Sequence, residues 1–525
     1  MSTVLDEVLE GLEPSPELIS VMAGSKPAAV LALDIGTSGV RATLFDERGR
    51  EIEGATVRLQ SRHFISADLA QMDADSCFEL VGETIDALFD KPFQTNLRIK
   101  YIAVSCFWHS LVGIDAAGAA TTPVYSWADS QAAAAARELT SRFEEGAIHA
   151  RTGCRFHPGY WPAKLLSLRN EQPQSFNRTS RWLSLGEYVL LCLFGETAAS
   201  ISMASGTGLF NQNTLDWDCE LIDALEIPRA SLPKISCPGQ TFQGMAPEYL
   251  ARWPQLSEAC VFPPIGDGAA NTIGSGCTAP DRVALMVGTS GAMRVLYEGA
   301  PPAQPHPGLW CYRADQRRVI VGGALSDGGS LYRWIRESFF IADTTESLEA
   351  ALEVIEPDSH GLTVLPFWSG ERSTGWSSAA RGAILGISLR TEPLEILRAA
   401  MEAVAYRFAS IAKALEPFAP GASIIASGTA LRCSPVWVQI IADVLGRPIT
   451  LCESSEASAR GAALLALEAA GRIPSIEEFP LREERTFAPN QSHHERYREA
   501  IERQSKVYES VISGHGPTIS VAPGE

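Results

Sequence analysis

The chain has 525 residues, 46% of them hydrophobic and 20% charged, and a formal net charge of −19. That length exceeds what one hydrophobic core serves, so at least two domains are expected, and the acidic balance argues against nucleic acid, whose phosphates it would repel. No run reaches the roughly 18 uninterrupted apolar residues of a membrane span, and the 11 cysteines include no C-x-x-C pair, which reads as reduced thiols in a cytoplasmic protein.

The first 27 residues form an acidic leader without the basic start and apolar run of a secretion signal. Residues 28–35, AAVLALDI, read as a buried strand stopped by Gly36. A GTSG turn at 36–39 leads into an alternating strand at 40–46, and ERGREIEGATVRLQ supplies a second turn and a third strand. Helical spacing at 73–90 and an apolar run at 99–107 complete a β-β-β-α-β order. Residues 126–263 are a helical and irregular insertion that includes the loop-rich TGCRFHPGYWPAK, and insertions carry specificity. The opening pattern then returns. RVALMV (282–287) is a strand, GTSG recurs at 288–291, AMRVLYE runs back, RRVIVGG (317–323) is a third strand and 329–340 a helix. Matching strands on both sides of a repeated turn argue for a duplicated structural unit. A strand–turn–helix unit at 424–446, the helix EASARGAALLALEAAG, and a last surface helix with a frayed tail follow. The expected division is a leader (1–27), a first domain (28–275), a second domain (276–480), and a C-terminal helix and tail (481–525).

Each GTSG turn offers backbone N–H groups and two hydroxyls, and its glycines let phosphate oxygens approach closely. In the first copy Gly36, Thr37 and Ser38 make the turn, Asp34 ends the strand where a carboxylate can hold Mg²⁺ directly or through water, and Arg41 is within reach of a phosphate. In the second copy the turn is Gly288, Thr289 and Ser290. The alternative is that these residues only suit hairpin geometry. Neither copy is a P-loop, since G-x-x-x-x-G-K-[ST] does not occur. FPPIGDGAANTIGSGC sets Asp267 between glycines, ahead of a small-residue helix whose positive end favours an ionised carboxylate. Such a group is a candidate general base for a hydroxyl; equally, it could serve only as the helix N-cap.

DIGTSGVRATLFD, GDGAANTIGSG, VGTSGAMR, GGALSDGGSLYRW, LPFWSGERSTGWSSAARGAILGISL and SGTALRCSPVWVQIIADVLG occur in that order. Together they resemble the FGGY carbohydrate kinases of the actin/hexokinase superfamily. The resemblance implies two duplicated ribonuclease H-like α/β domains, of the actin-like ATPase kind, flanking a central cleft. It implies transfer of the ATP γ-phosphoryl group to a hydroxyl of a small sugar or sugar acid. It makes Asp267 the base and, with Asp34, a holder of Mg²⁺. Asp34, Thr37 and Ser38 would organise the transferring group, and Thr289 and Ser290 would meet the β- and γ-phosphates. Gly323 and Asp327 would lie beside the nucleotide, with Gly428 and Thr429 against its adenine or ribose. SCFWHSL implicates Trp108 and His109 in sugar contact, and WAD brings in Asp129.

YSWADSQ, RTGCRFHPGYWPAKL and SMASGTGLFNQNTLDWD resemble the gluconokinase branch. Gluconate is an anion, and Arg155, His157 and Lys164 are candidate partners for its carboxylate, unless Lys164 starts a surface helix and Arg155 is solvated. Xylulose or sedoheptulose remain alternatives, as does a non-catalytic sugar or nucleotide sensor on the same scaffold. The expected partner is a small molecule, with neither nucleic acid nor membrane; a homodimer is compatible with this reading.

Overall fold

The computed structural model describes residues 27–61, 64–66, 71–92, 97–341, 344–480 and 483–512, so nearly all of the acidic leader and the tail lie outside the described residues. Strand β1 (Ala28–Gly36) is apolar and buried almost throughout, as suits the centre of a sheet covered on both faces. It turns at Gly36–Gly39 into β2 (Gly39–Asp46), which pairs antiparallel with β3 (Glu51–Gln60). Helix α1 (Ala74–Phe89), capped by the Asp73 side chain, packs on β2 and β3. Strand β4 (Arg98–Cys106) then runs parallel to β1.

The insertion follows, with helix α2 (Trp161–Glu171) among its elements. The chain returns to the sheet through β5 (Cys260–Val261) and β6 (Ile265–Gly266), both parallel to β4, and enters α3 (Asp267–Gly274).

The second half repeats the plan. Strands β7 (Arg282–Val287) and β8 (Gly291–Glu298) form a hairpin. An edge strand that the pattern did not announce, β9 (Trp310–Arg313), precedes β10 (Arg318–Leu325), which pairs with β8 on its other side. Helices α4 (Gly329–Ser338) and α5 (Pro393–Leu415) lead to β11 (Ser423–Ser427), which lies parallel to β7 as β4 lies parallel to β1. The remainder comprises α6 (Thr429–Cys433), α7 (Pro435–Leu445), β12 (Ile449–Cys452), α8 (Ala457–Ala469), β13 (Glu483–Phe487) and α9 (Gln491–Val511). Each half is thus a ribonuclease H-like sheet of an antiparallel meander extended by parallel strands. Among the described residues no helix is long and apolar enough to cross a membrane.

Each half has its own apolar core, but α8 belongs by packing to the first. Ala459, Ala462, Ala463, Leu464 and Leu467 are buried with Ile102 and Val104 of β4. It also lies against α3 with almost no separation. A Cβ at Gly461 would sit 1.9 Å from the Ala270 carbonyl oxygen, and one at Gly274 would sit 1.7 Å from that of Ala457. Buried Arg460 donates to the carbonyls of Gly274 (3.1 Å), Gly49 (3.1 Å) and Phe479 (2.8 Å), so its cation sits at the negative end of α3. The Gly461→Ala variant should therefore push the helices apart and lose about 1–3 kcal/mol of stability, read as a lower urea midpoint. Turnover should fall with it, because α3 carries Asp267; an unchanged midpoint would mean the crossing is not tight.

Candidate active site

Asp267 opens α3 where β6 ends, and the residues on either side of it are glycines for a steric reason. A Cβ at Gly266 would lie 1.9 Å from the Trp108 ring, and one at Gly268 would lie 2.4 Å from it. The indole, fixed by its N–H bond to the Ser202 carbonyl (2.9 Å), occupies the space of both missing side chains and leaves Asp267 to project between them. The helix N-cap is Gly266, so Asp267 is the first helical residue and not the cap. Its Oδ1 accepts from the N–H of Gly268 (2.8 Å) and, more weakly, of Trp108 (3.4 Å). Burial raises the pKa of Asp267, the Arg294 cation opposes that rise and the Asp34 charge adds to it. Burial therefore outweighs the helix end, and a carboxylate with a raised pKa is a better proton acceptor for a hydroxyl.

Asp34, at the end of β1, accepts from Ser105 Oγ (2.9 Å) and from Arg41 (2.8 Å). Arg41, expected to reach a phosphate, also lies 4.0 Å from Glu456, just ahead of α8, so it links the first hairpin to the helix crossing. Asp34 and Asp267 are close enough for one charge to shift the other, and each keeps free lone pairs. Such a pair suits Mg²⁺, which favours one or two carboxylates plus waters and phosphate over an all-protein cage. Among the described residues the only compact triad of potential ligands is Asp358, His360 and Glu402, in the second half. Its carboxylates are already engaged by Arg503, Arg398 and His360.

The second turn is bolted to the start of α4. The Thr289 carbonyl accepts from the N–H groups of Gly328 (3.2 Å) and Ser330 (3.0 Å), and the Gly288 carbonyl from Gly329 (2.8 Å). Gly428, at φ +97°, rests against the end of β7, where a Cβ would come 2.4 Å from the Val287 carbonyl oxygen. Gly288, Thr289, Ser290, Gly428 and Thr429 thus share one region, while Gly36, Thr37 and Ser38 form the tip of the first hairpin. Asp327 accepts from the Ser369 N–H (2.8 Å) and hydroxyl (2.9 Å) and so holds the loop that carries Arg372. Gly323 lies in the buried strand β10. Its Cβ direction meets Ile411 of α5 at 2.7 Å, which makes it a packing residue of the second core.

Around the residues expected to contact a sugar, the two halves together form an aromatic box. His109, at φ 70°, directs Nδ1 to the Gly206 carbonyl (2.5 Å), and its ring meets Tyr160 edge-on at 4.9 Å and Tyr312 at 5.6 Å. Burial keeps its imidazole neutral. The Tyr160 and Tyr312 hydroxyls share a 2.5 Å hydrogen bond across the halves. Trp376 packs on His157 and Tyr160, and the Arg372 guanidinium lies 4.7 Å over the Trp127 ring. Asp129 accepts from Gln71 (2.9 Å) and the Gln131 N–H (2.9 Å).

Lys164 is the fourth residue of α2, a helix buried over its first eight residues, so it does not start a surface helix. In place of the expected ligand contact, its ammonium donates to the carbonyls of His109 (2.8 Å), Ser126 (2.8 Å) and Tyr125 (3.4 Å). All three donors are spent on bracing the pocket wall. Burial brings its pKa down to about 7, offset in part by Asp129. Arg155 is paired with Glu145 and is likewise not free for a substrate.

Pattern reading missed Tyr160, Tyr312, Trp376, Arg372 and Arg294. Tyr160, Arg294, Arg372 and Trp376 lie inside motifs quoted above but were not singled out, and Tyr312 lies outside all of them.

Residues 29–274 match the N-terminal domain, and residues 283–470 the C-terminal domain, of the FGGY family of carbohydrate kinases. The chain belongs to that family. This FGGY kinase is 27% identical to a gluconokinase of Bacillus subtilis, over 85% of this chain and 89% of the relative. In structure it is similar to a xylulose kinase of Lactobacillus acidophilus, at a TM-score of 0.83 and 27% identity over 93% of this chain and 99% of the other. A gluconate kinase of the same organism gives a TM-score of 0.82 at 27% identity, over 92% and 98%.

His157, with Nδ1 accepting from the Gly159 N–H (3.1 Å), is pushed down to about 3 by burial and by the nearby Arg372 and Lys164 cations. The native imidazole stays neutral while the unfolded one protonates below about pH 6.5. Its contribution to stability is therefore complete above that pH and lost as pH falls toward 3, at up to about 1.4 kcal/mol per unit. Thermal midpoints of the FGGY kinase should drop on acidification from pH 6.5 to 4.5. The drop should be shallower in His157→Gln, and equal slopes would show that His157 titrates normally.

Proposed function

We propose that this FGGY kinase transfers the γ-phosphoryl group of ATP to a hydroxyl of gluconate. The observation that carries the chemistry is Asp267, half-buried and within reach of both the Asp34 charge at the first hairpin and the Arg294 cation on the strand returning from the second. The gluconokinase and gluconate kinase relatives support the substrate; the xylulose kinase of similar structure favours a ketose as the second reading.

In this mechanism the aromatic box orients the sugar chain with one hydroxyl against the Asp267 carboxylate. Asp267 accepts the hydroxyl proton as the oxygen bonds to the γ-phosphorus and the bond to the ADP oxygen breaks. The N–H groups and hydroxyls of Thr37, Ser38, Thr289 and Ser290 stabilise charge on the phosphoryl oxygens. Asp34 and Asp267 are the residues that would hold Mg²⁺, which when bound neutralises phosphate charge. Residues from both halves close over the pocket and exclude water, which limits wasteful ATP hydrolysis.

ADP release should be measured with gluconate, xylulose, ribulose, sedoheptulose and glycerol. Gluconate should give the highest kcat/KM; a ketose in its place would install the second reading, and no stimulation by any sugar would point to a sensor. Asp267→Asn should cut turnover at least about a hundredfold while an ATP analogue still binds. Near-normal phosphorylation by that variant would remove Asp267 from the role of base. Thr289→Val should raise the KM for ATP more than that for the sugar; equal losses would mean the second turn does not hold phosphate.

A further inference from the structure

Arg294 is the fourth residue of β8, a strand whose first six residues are all buried, and its own side chain is 7% exposed. A cation is taken out of water only at a cost, and that cost is normally offset by an ion pair and a full set of hydrogen bonds. Arg294 lacks that set. Its Nε and Nη1 are buried and have no hydrogen-bond partner. Burial lowers its pKa only to about 10, so the guanidinium remains charged at neutral pH.

The position of this cation is built. Gly268 makes room for it, since a Cβ there would meet Arg294 Nε at 2.9 Å and Trp108 at 2.4 Å. The charged groups that feel it are Asp267 and Arg372, and Tyr312 of the aromatic box lies in the same field. The carboxylates around the pocket have other duties. Asp34 already has the Arg41 cation beside it and faces the proposed Mg²⁺ position, Asp129 is engaged by Gln71 and the Gln131 N–H, and Asp327 by Ser369. Asp267 must face the reacting hydroxyl. The unsatisfied N–H groups thus point to an anion that arrives with the substrate.

We propose that Arg294 pairs with the carboxylate of a sugar acid and thereby selects aldonates over neutral polyols of the same length. This rests on the gluconate reading and adds the residue that enforces it. A guanidinium offers two parallel N–H donors to a carboxylate, whereas a neutral terminal CH₂OH satisfies at most one of them and leaves the buried charge unpaired. The same site therefore attracts the acid and rejects the alditol.

The test compares kcat/KM for gluconate with that for D-glucitol, in which CH₂OH replaces the carboxylate. In Arg294→Met the gluconate-to-glucitol ratio should fall at least about a hundredfold, the scale for removing one partner of a buried charge pair. Arg294→Lys, which keeps the charge without the fork, should fall between Met and wild type. Calorimetric titration of gluconate without nucleotide should show the same order, and it reads the Lys variant even if the Met variant fails to fold. Equal losses on both substrates, or an unchanged ratio, would overturn the anchor and leave the gluconate reading standing. If wild type prefers another aldonate, the gluconate reading falls, and the Met variant assayed on that aldonate and its alditol decides the anchor. If wild type prefers a neutral sugar, both fall.

Discussion

The backbone contact between α3 and α8 is the constraint on which the other features rest. Two helices from opposite halves of the chain meet with a glycine of each set against the backbone of the other, Gly274 against Ala457 and Gly461 against Ala270. The contact admits almost no sliding, because any movement brings carbonyl oxygens into clash. Since Asp267 opens α3 and Glu456 immediately precedes α8, the crossing sets Asp267 and the Arg41 link to the first hairpin in one frame. Ser427 at the end of β11 adds a bond to Asn271 of α3 (3.3 Å), which ties the same helix to the second sheet.

Around that frame the pocket is made by docking two surfaces. The edge strand β9 joins the first half through the Cys311 N–H to the Gly153 carbonyl (2.9 Å), and Arg313 reaches the Gln212 carbonyl at 2.9 Å. These bonds bring Trp310 and Tyr312 to Trp108 and His109. The result is a box with apolar walls and cationic side chains, Arg294 and Arg372, set in or over it. In such a low-dielectric enclosure charge is expensive unless paired, and the same burial raises the Asp267 pKa. The overall charge of −19 says nothing of this. Surface composition governs solubility and long-range encounter, whereas binding answers to the few groups that face the ligand.

The local pieces were legible in the amino-acid order: both GTSG hairpins, the strands that flank them, the parallel strands β4 and β11, and the small-residue helix behind Asp267. These follow from short-range rules, in which alternation, apolar runs and glycine at turns leave a signature within about ten residues. The duplication was legible for the same reason, as one local pattern written twice. The rest depended on how distant segments pack. Tyr160, Tyr312 and Trp376 look like ordinary core aromatics in one dimension and become neighbours only when β9 and the loop that carries Arg372 dock on the insertion. Lys164 reads as a free cation until three backbone carbonyls from two other segments converge on it. Gly323 sits in a motif-like run, yet Ile411 of a distant helix explains it. Composition and periodicity report which face of an element is apolar, but not which other element covers it, and a site assembled at the junction of two halves depends on the second fact.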